Sequence, residues 1–294
     1  MASIYKKAYF NGKIGDIADA NLSIASSAVL YGLSVYTVFY VYNDKTTHRA
    51  FKLRQHYDRL HSSAKIIGLE WPDGLSFEQF QEKVSQLIKA NKPTESVFVR
   101  ATLHADGLVP GTRTRGVSTQ LSLFVYTATP IVKPHGVRLK TSQWRRIPDN
   151  SIPSRAKVNG AYVNSVLAHQ DALDAGYDDC IFLDQSGHVC ELAAANIFMV
   201  RGGRLITPDT SSDLLEGINR RAILELADTS GIPTQERTVD LTELYIADEV
   251  FVCGTSAFVA SVAEIDGRHL NEDTPITKKI AALHGELLKN GDSL

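Results

Sequence analysis

The run Val29–Tyr42, VLYGLSVYTVFYVY, constrains this chain more than any other stretch. Val, Tyr and Phe suit a pleated, half-buried surface, and Gly32 breaks the run, so its second half reads as a strand. Two-residue alternation puts Tyr36, Val38 and Tyr40 on one face and Val35, Thr37, Phe39 and Val41 on the other. Both faces are mostly apolar. Such a strand is expected to be covered on both sides. Its tyrosine hydroxyls, once buried, need partners.

The rest of the chain supplies further strands and the helices to cover them. Ala8–Ile14 is expected as two short strands about Asn11-Gly12, a hairpin signal. Phe51–Ile67 carries Leu53, Tyr57, Leu60, Ala64 and Ile67 at helical spacing. Ser76 with Gln79 forms a capping box ahead of a second helix. Ser96–Leu103 and Leu121–Thr127 read as strands, and Arg100 inside the first needs a carboxylate, a ligand or solvent. Residues 131–136, preceded by Pro130, containing Pro134 and closed by Gly136, form the expected linker between a domain over 1–130 and one over 137–294. In the second half, Val137–Trp144 should be a strand and Asn159–Ala175 a helix. Two hairpins follow, then a helix from Ile218 and a buried strand Glu249–Cys253. A helical tail starts at Pro275.

At 294 residues, 44% of them hydrophobic and 22% charged, the chain can bury a large core as one big domain or two modest ones. The net charge of −2, with no basic block, argues against a nucleic-acid partner. The N-terminal MASIYKKAYFNGKIGD has no apolar signal core, and no stretch nears the roughly 18 apolar residues of a membrane span. A cytoplasmic protein without membrane partners is expected. Cys180, Cys190 and Cys253 form no C-x-x-C pair and sit in apolar runs, as buried small hydrophobes do. His56 and His61 fall on different helix faces, so no metal site is expected there. Phosphate-loop, dinucleotide, H-E-x-x-H and G-x-S-x-G motifs are missing. Gly217 ahead of a helix and the turn Gly254-Thr255-Ser256-Ala257 are two candidate anion sites.

One ordered series of motifs goes further. Trp144-Arg145-Arg146-Ile147-Pro148 and Ser151-Ile152-Pro153 lead to Lys157-Val158-Asn159-Gly160-Ala161-Tyr162. Gly176-Tyr177-Asp178-Asp179, Glu191 through Asn196-Ile197-Phe198, Leu215-Glu216-Gly217-Ile218-Asn219-Arg220 and Gly254-Thr255-Ser256-Ala257 follow. Tyr31-Gly32 with Val35-Tyr36, and Arg54 with Arg59-Leu60, precede them. Together these resemble the branched-chain aminotransferases, within the fold-type IV (class IV) pyridoxal-phosphate enzymes. The resemblance spans nearly the whole chain. It implies a fold of the α/β (α+β) class with a smaller N-terminal α+β domain, a larger C-terminal domain with a barrel-like sheet, the cofactor between them, and a homodimer.

The resemblance also implies roles. Lys157 would bind the aldehyde of pyridoxal 5'-phosphate covalently and then act as the base on the substrate Cα. Glu191 would hold the ring-nitrogen proton and Tyr162 the phenolate. Arg54, the N–H groups of Ile218 and Asn219, and Thr255 would take the phosphate. Leu215 would pack on the ring, with Asn196 behind it, orienting Tyr162 or the backbone. Tyr31, Phe98, Arg100, Ser256 and Ala257 would meet the substrate, whose partners are an apolar L-amino acid and 2-oxoglutarate or another keto acid. Phe98 stands where the family usually has Tyr.

The largest departure is Val35-Tyr36-Thr37-Val38-Phe39-Tyr40, where branched-chain enzymes typically read Val-Phe-Glu-Gly-Ile-Arg. Tyr36, Val38 and Tyr40 belong to the expected pocket wall, and Tyr-Thr-Val-Phe resembles the (R)-selective amine transaminases. An (R)-amine or D-amino-acid transaminase, an aminodeoxychorismate lyase and a non-catalytic cofactor binder therefore stay open as alternatives.

Overall fold

A computed structural model describes residues 2–44, 47–108, 111–128 and 136–294. The chain divides into two compact units. The first comprises 1–129, 156–160 and 287–294; the second comprises 130–155 and 161–286.

In the first unit, β1 (Ile4–Phe10) and β2 (Lys13–Asp16) meet at Asn11 and Gly12, both at positive φ (52° and 75°), the geometry of a tight two-residue hairpin. α1 (Ser27–Tyr31) starts on a Ser26 cap and ends where Gly32 turns left-handed at φ 65°. Then come β3 (Ser34–Asn43), β4 (His48–Ala50), α2 (Leu53–Ile67), α3 (Phe77–Asn91), β5 (Val97–Ala105) and β6 (Thr119–Thr127). The sheet order is Asp292–Ser293, β4, β3, β5, β6, β1, β2, antiparallel throughout. Val35, Thr37, Phe39 and Val41 are fully buried, and Phe39 packs edge-on against Phe80 of α3 and beside His56 of α2. Each such apolar side chain is worth about 1.5–3 kcal/mol of burial. On the opposite face Tyr36 is buried, and Val38 and Tyr40 are half-buried.

The first half of β3 has β5 on one edge. Its other edge takes the returning segment 156–160: Val35 bridges Val158, Tyr36 N–H donates to Lys157 O at 3.0 Å, and Asn159 N–H donates to Ser34 O at 2.9 Å. This return differs from the expected boundary, which assigned everything past 136 to one domain. The tail 287–294 also belongs to the first unit, through Asp292–Ser293 on β4. Strand pairing with residues more than a hundred positions away leaves no local trace. The expected linker 131–136 lies outside the described residues except for Gly136.

The second unit contains β7 (Val137–Thr141), α4 (Tyr162–Asp174), β8 (Asp179–Leu183), β9 (Val189–Leu192), β10 (Asn196–Arg201), β11 (Arg204–Thr207), α5 (Ile218–Thr229), β12 (Thr234–Glu236), α6 (Leu241–Tyr245), β13 (Glu249–Gly254), β14 (Phe258–Ile265), β15 (Arg268–His269) and most of α7 (Pro275–Lys289). The strand order is β12-β11-β10-β13-β14-β7-β8-β9. Leu139, Ile181, Leu192, Ile197, Val252 and Val262, from six strands, share one core. The sheet therefore curls round that core, and Leu192 N–H donates to Ala195 O at 2.8 Å where β9 turns into β10. This is the barrel-like sheet expected. Helix α4 starts at Tyr162, not Asn159, because 156–160 is held extended along β3.

Candidate active site

In the first unit the chemistry centres on Lys157. Its backbone is pinned on two sides, by β3 and by Ser63 Oγ of α2, which accepts from Lys157 N–H at 3.1 Å. Its Nζ lies 5.0 Å from the centre of the Tyr36 ring. Gly160 explains itself here: a Cβ at Gly32 would come within 2.9 Å of Gly160 Cα, so the two backbones meet where no side chain fits. Arg100 projects from β5 onto the same face. Its guanidinium carbon sits 3.6 Å from the Tyr36 ring centre, and Nη2 donates to Asn159 Oδ1 at 2.7 Å. One aromatic ring thus faces two cations.

Strand register completes this face. Val38 opposes Arg100, Tyr40 opposes Phe98, and Phe98 opposes Tyr126. The Phe98 ring is 5.9 Å from Tyr40 and 5.5 Å from Tyr126. Burial pushes the Tyr126 phenol up to about 12, so it stays protonated. Tyr126 went unnoticed in the sequence; the register with Phe98 finds it. Tyr31 lies exposed on α1.

Behind β3, Thr37 Oγ1 lies 2.7 Å from His56 Nδ1 and accepts from Arg59 Nη2 at 3.2 Å. His56 is fully buried, and burial, then the Arg59 and Lys157 cations, hold its pKa well below the usual value. Arg59 is thus the α2 cation turned towards Lys157. Arg54 is on another side of the helix. It is 59% exposed, pairs with Asp58 at 3.1 Å, and stacks 4.9 Å from Phe77. Helical phase separates the two arginines: Arg59, half-buried, sits one turn from both His56 and Ser63, at the border of the buried stripe.

In the second unit Glu191, on β9, is buried. Its Oε1 pairs with Arg146 Nη2 at 2.9 Å. Its Oε2 accepts from Asn196 Nδ2 and from Leu215 N–H, each at 3.2 Å. Asn196 Nδ2 also donates to Leu215 O at 3.0 Å, so Asn196 ties the carboxylate to the 215–217 turn. The motif around Arg146 does not reveal this partner.

That turn delivers α5. Gly217 is its N-cap, with no side-chain cap, so the first N–H groups, from Ile218 and Asn219, lie at the positive end of the helix dipole. Asn219 Nδ2 reaches Thr255 Oγ1 at 3.4 Å, linking α5 to the Gly254–Ala257 turn. The other end of the Asn219 amide lies 2.8 Å from buried His284 Nε2, a second residue that sequence reasoning passed over. Burial lowers His284 to about 4. Ser256 and Ala257 are partly exposed, and Phe258 beside them takes a positive φ of 52°, a strained conformation at the end of that turn. Tyr162 opens α4 and is partly exposed.

Each unit carries donors of the kind pyridoxal phosphate takes: a pinned lysine in the first, and in the second a buried carboxylate and an uncapped helix start beside a threonine. Residues 34–265 match the amino-transferase class IV family. The chain belongs to the class IV aminotransferases. It is 35% identical to a probable branched-chain-amino-acid aminotransferase of Synechocystis sp., over 96% of this chain and 92% of that protein. It is 33% identical to the branched-chain-amino-acid aminotransferase of Escherichia coli, over 92% and 89%. Among solved structures, the branched-chain aminotransferase of Thermoproteus uzoniensis with norvaline superposes with a TM-score of 0.94 at 34% identity, covering 97% of this chain and 95% of that one. The branched-chain amino acid aminotransferase of Thermobaculum terrenum, in its PLP-form, gives 0.90 at 28% identity, covering 98% of this chain and 95% of that one. Among the described residues, no helix is long and apolar enough to cross a membrane.

Proposed function

We propose that this aminotransferase moves the amino group of a branched-chain or other apolar L-amino acid to 2-oxoglutarate or a related keto acid. The observation that carries the reading is Lys157: its backbone is fixed by β3 and α2, while its amine is held at the ring of Tyr36. When bound, pyridoxal phosphate supplies an aldehyde carbon for the amino group and a protonated ring that accepts the electron pair left by Cα–H cleavage.

This chain's residues do the rest. Lys157 Nζ would hold the cofactor's aldehyde carbon and would carry the proton taken from the substrate Cα. Glu191 keeps the ring-nitrogen proton in place, and the Tyr162 hydroxyl donates to the phenolate. We assign the phosphate to Arg59, in place of Arg54, with the N–H groups of Ile218 and Asn219 and the Thr255 hydroxyl. Leu215 packs on the ring, and Asn196 orients Glu191. Arg100 counters the substrate carboxylate with Ser256 and Ala257. Tyr31, Tyr36, Val38, Tyr40 and Phe98 wall the side-chain pocket, where Val38 in place of glycine narrows the space beside Arg100. A cytoplasmic homodimer is part of the proposal. Val163, Val166, Leu167 and Leu173 leave an apolar stripe on α4, 42–65% exposed, suited to a second copy.

Purified protein should be yellow with cofactor, and Lys157→Ala should lose that colour; a colourless wild type sinks the scheme. L-leucine, D-alanine and (R)-1-phenylethylamine, each tested with 2-oxoglutarate and with pyruvate, then decide the donor. Turnover of D-alanine or the arylamine alone would replace the L-amino-acid reading.

A further inference from the structure

Arg146 contributes little obvious stability. Its side chain is 13% exposed, and its Nε is buried with no hydrogen-bond partner among the described residues. A buried ion pair with an unsatisfied donor costs desolvation that apolar packing would avoid. Yet the residue is held firmly. Its N–H donates to Leu183 O at 2.9 Å, and its guanidinium lies 5.7 Å from the Phe182 ring centre. From there it meets one oxygen of Glu191, while Asn196 and the Leu215 N–H take the other.

We propose that Arg146 is a positioning residue that keeps Glu191 ionised and its carboxylate plane fixed, so that Glu191 can hold a cationic ring nitrogen. The proposal rests on the reading of Glu191 given above. Titratable groups around β9 include Cys190, Asp184, Asp213, Asp240 and His188, the last engaged with Asp184 and Asp240 at 3.2 and 3.8 Å. Arg146 brings a guanidinium onto Glu191 at 2.9 Å. Without that cation, a carboxylate in this setting takes up a proton at higher pH. A neutral Glu191 no longer favours the protonated ring.

The test is cofactor affinity, measured by titrating the full-length apoprotein with pyridoxal phosphate at about pH 6 and about pH 8. Arg146→Met should weaken binding more at the lower pH. Its ratio of dissociation constants at the two pH values should exceed the wild-type ratio about tenfold, one unit of displaced titration. Arg146→Lys should bring the ratio back towards wild type. Glu191→Gln should weaken binding at both pH values, and adding Arg146→Met to it should bring no further pH-dependent loss. A wild-type ratio in Arg146→Met overturns the proposal, even if binding is uniformly weaker, because uniform loss marks a merely structural role. Wild-type affinity in Glu191→Gln instead overturns the reading of Glu191. If Arg146→Met fails to fold, Arg146→Gln carries the same comparison.

Discussion

Gly217→Ala isolates one contact of the site. Gly217 has φ −66° and ψ 137°, a conformation alanine adopts freely. Losing glycine from a helix N-cap costs some tenths of a kcal/mol to about 1, and the stiffer unfolded chain returns a similar amount. What remains is steric. A Cβ at Gly217 would run into Asn196 Oδ1. Asn196 cannot swing away without breaking its bonds to Leu215 O and to Glu191. The first is a neutral hydrogen bond worth about 1 kcal/mol, and the second, to a carboxylate, about 1.5–3, so the expected loss is about 2–4 kcal/mol. Trp71 and Trp144 are the two tryptophans, and only Trp144 lies in the unit that contains Gly217. Urea unfolding followed by Trp144 fluorescence in a Trp71→Phe background therefore reads this unit. In an Asn196→Ala background the clash is gone, and Gly217→Ala should cost less than about 0.5 kcal/mol, the additivity limit of independent sites. A loss below about 1 kcal/mol in the Asn196 protein, or an equal loss in both backgrounds, would refute the account.

Three further outcomes follow from the geometry. Arg59→Gln should weaken pyridoxal phosphate binding by about tenfold or more, the loss of a charge-assisted bond, while Arg54→Gln should stay within about threefold; the reverse order would return the phosphate to Arg54. His284 is neutral in the fold down to about pH 4, whereas the unfolded histidine takes up a proton below about 6.5, so the unfolded state binds more protons in that window and stability falls as pH drops through it. The slope is about 1.4 kcal/mol per pH unit for this one group, and His284→Gln, which keeps a polar partner for Asn219, should flatten the acid limb of a stability–pH curve by that amount; an unchanged limb would mean the histidine is already charged in the fold. His104, held near 4 by burial and by Arg100, should give a similar but smaller change in His104→Gln, being less deeply buried.

Local periodicity carried most of the fold. The two faces of β3, the Ser76 cap at the start of α3 and the Asn11-Gly12 hairpin are each set by residues within one element, and each forms. The stripe of α2 forms in part: Leu53, Leu60 and Ala64 are buried, with His56 and Ser63 beside them where Tyr57 and Ile67 are expected. The second-unit hairpins follow the same logic. What the sequence hid is contact at long range. Asn159-Gly160 looks like the start of a helix until the pairing of 156–160 with Ser34 and Tyr36 holds it extended. Arg146 sits in an irregular stretch, and its partner Glu191 comes 45 residues later across a parallel pairing of β7 with β8. Tyr126 and His284 carry no motif; register and burial alone reveal them.

Arg54 and Arg59 mark a finer boundary, set by which side of α2 is buried. Leu53, Leu60 and Ala64 define that side, and His56 and Ser63 lie on it. Arg59 is three residues from His56 and four from Ser63, which puts it on the border of that side. Arg54 is two from His56, on a different side of the helix. The stripe legible in the sequence, with Tyr57 and Ile67 in place of His56 and Ser63, does not separate the two arginines, and the motif resemblance points to Arg54. The wall at Thr37 makes the same point in chemical terms. A glutamate there would set a carboxylate against His56 and Arg59; Thr37 gives the same two partners a neutral hydroxyl at 2.7 and 3.2 Å. Against a glutamate at that position, the side of β3 that faces His56 and Arg59 carries one negative charge less. A departure that reads as a pocket-shape change on one face of β3 is thus also an electrostatic change on the other, since adjacent residues of a strand point to opposite sides.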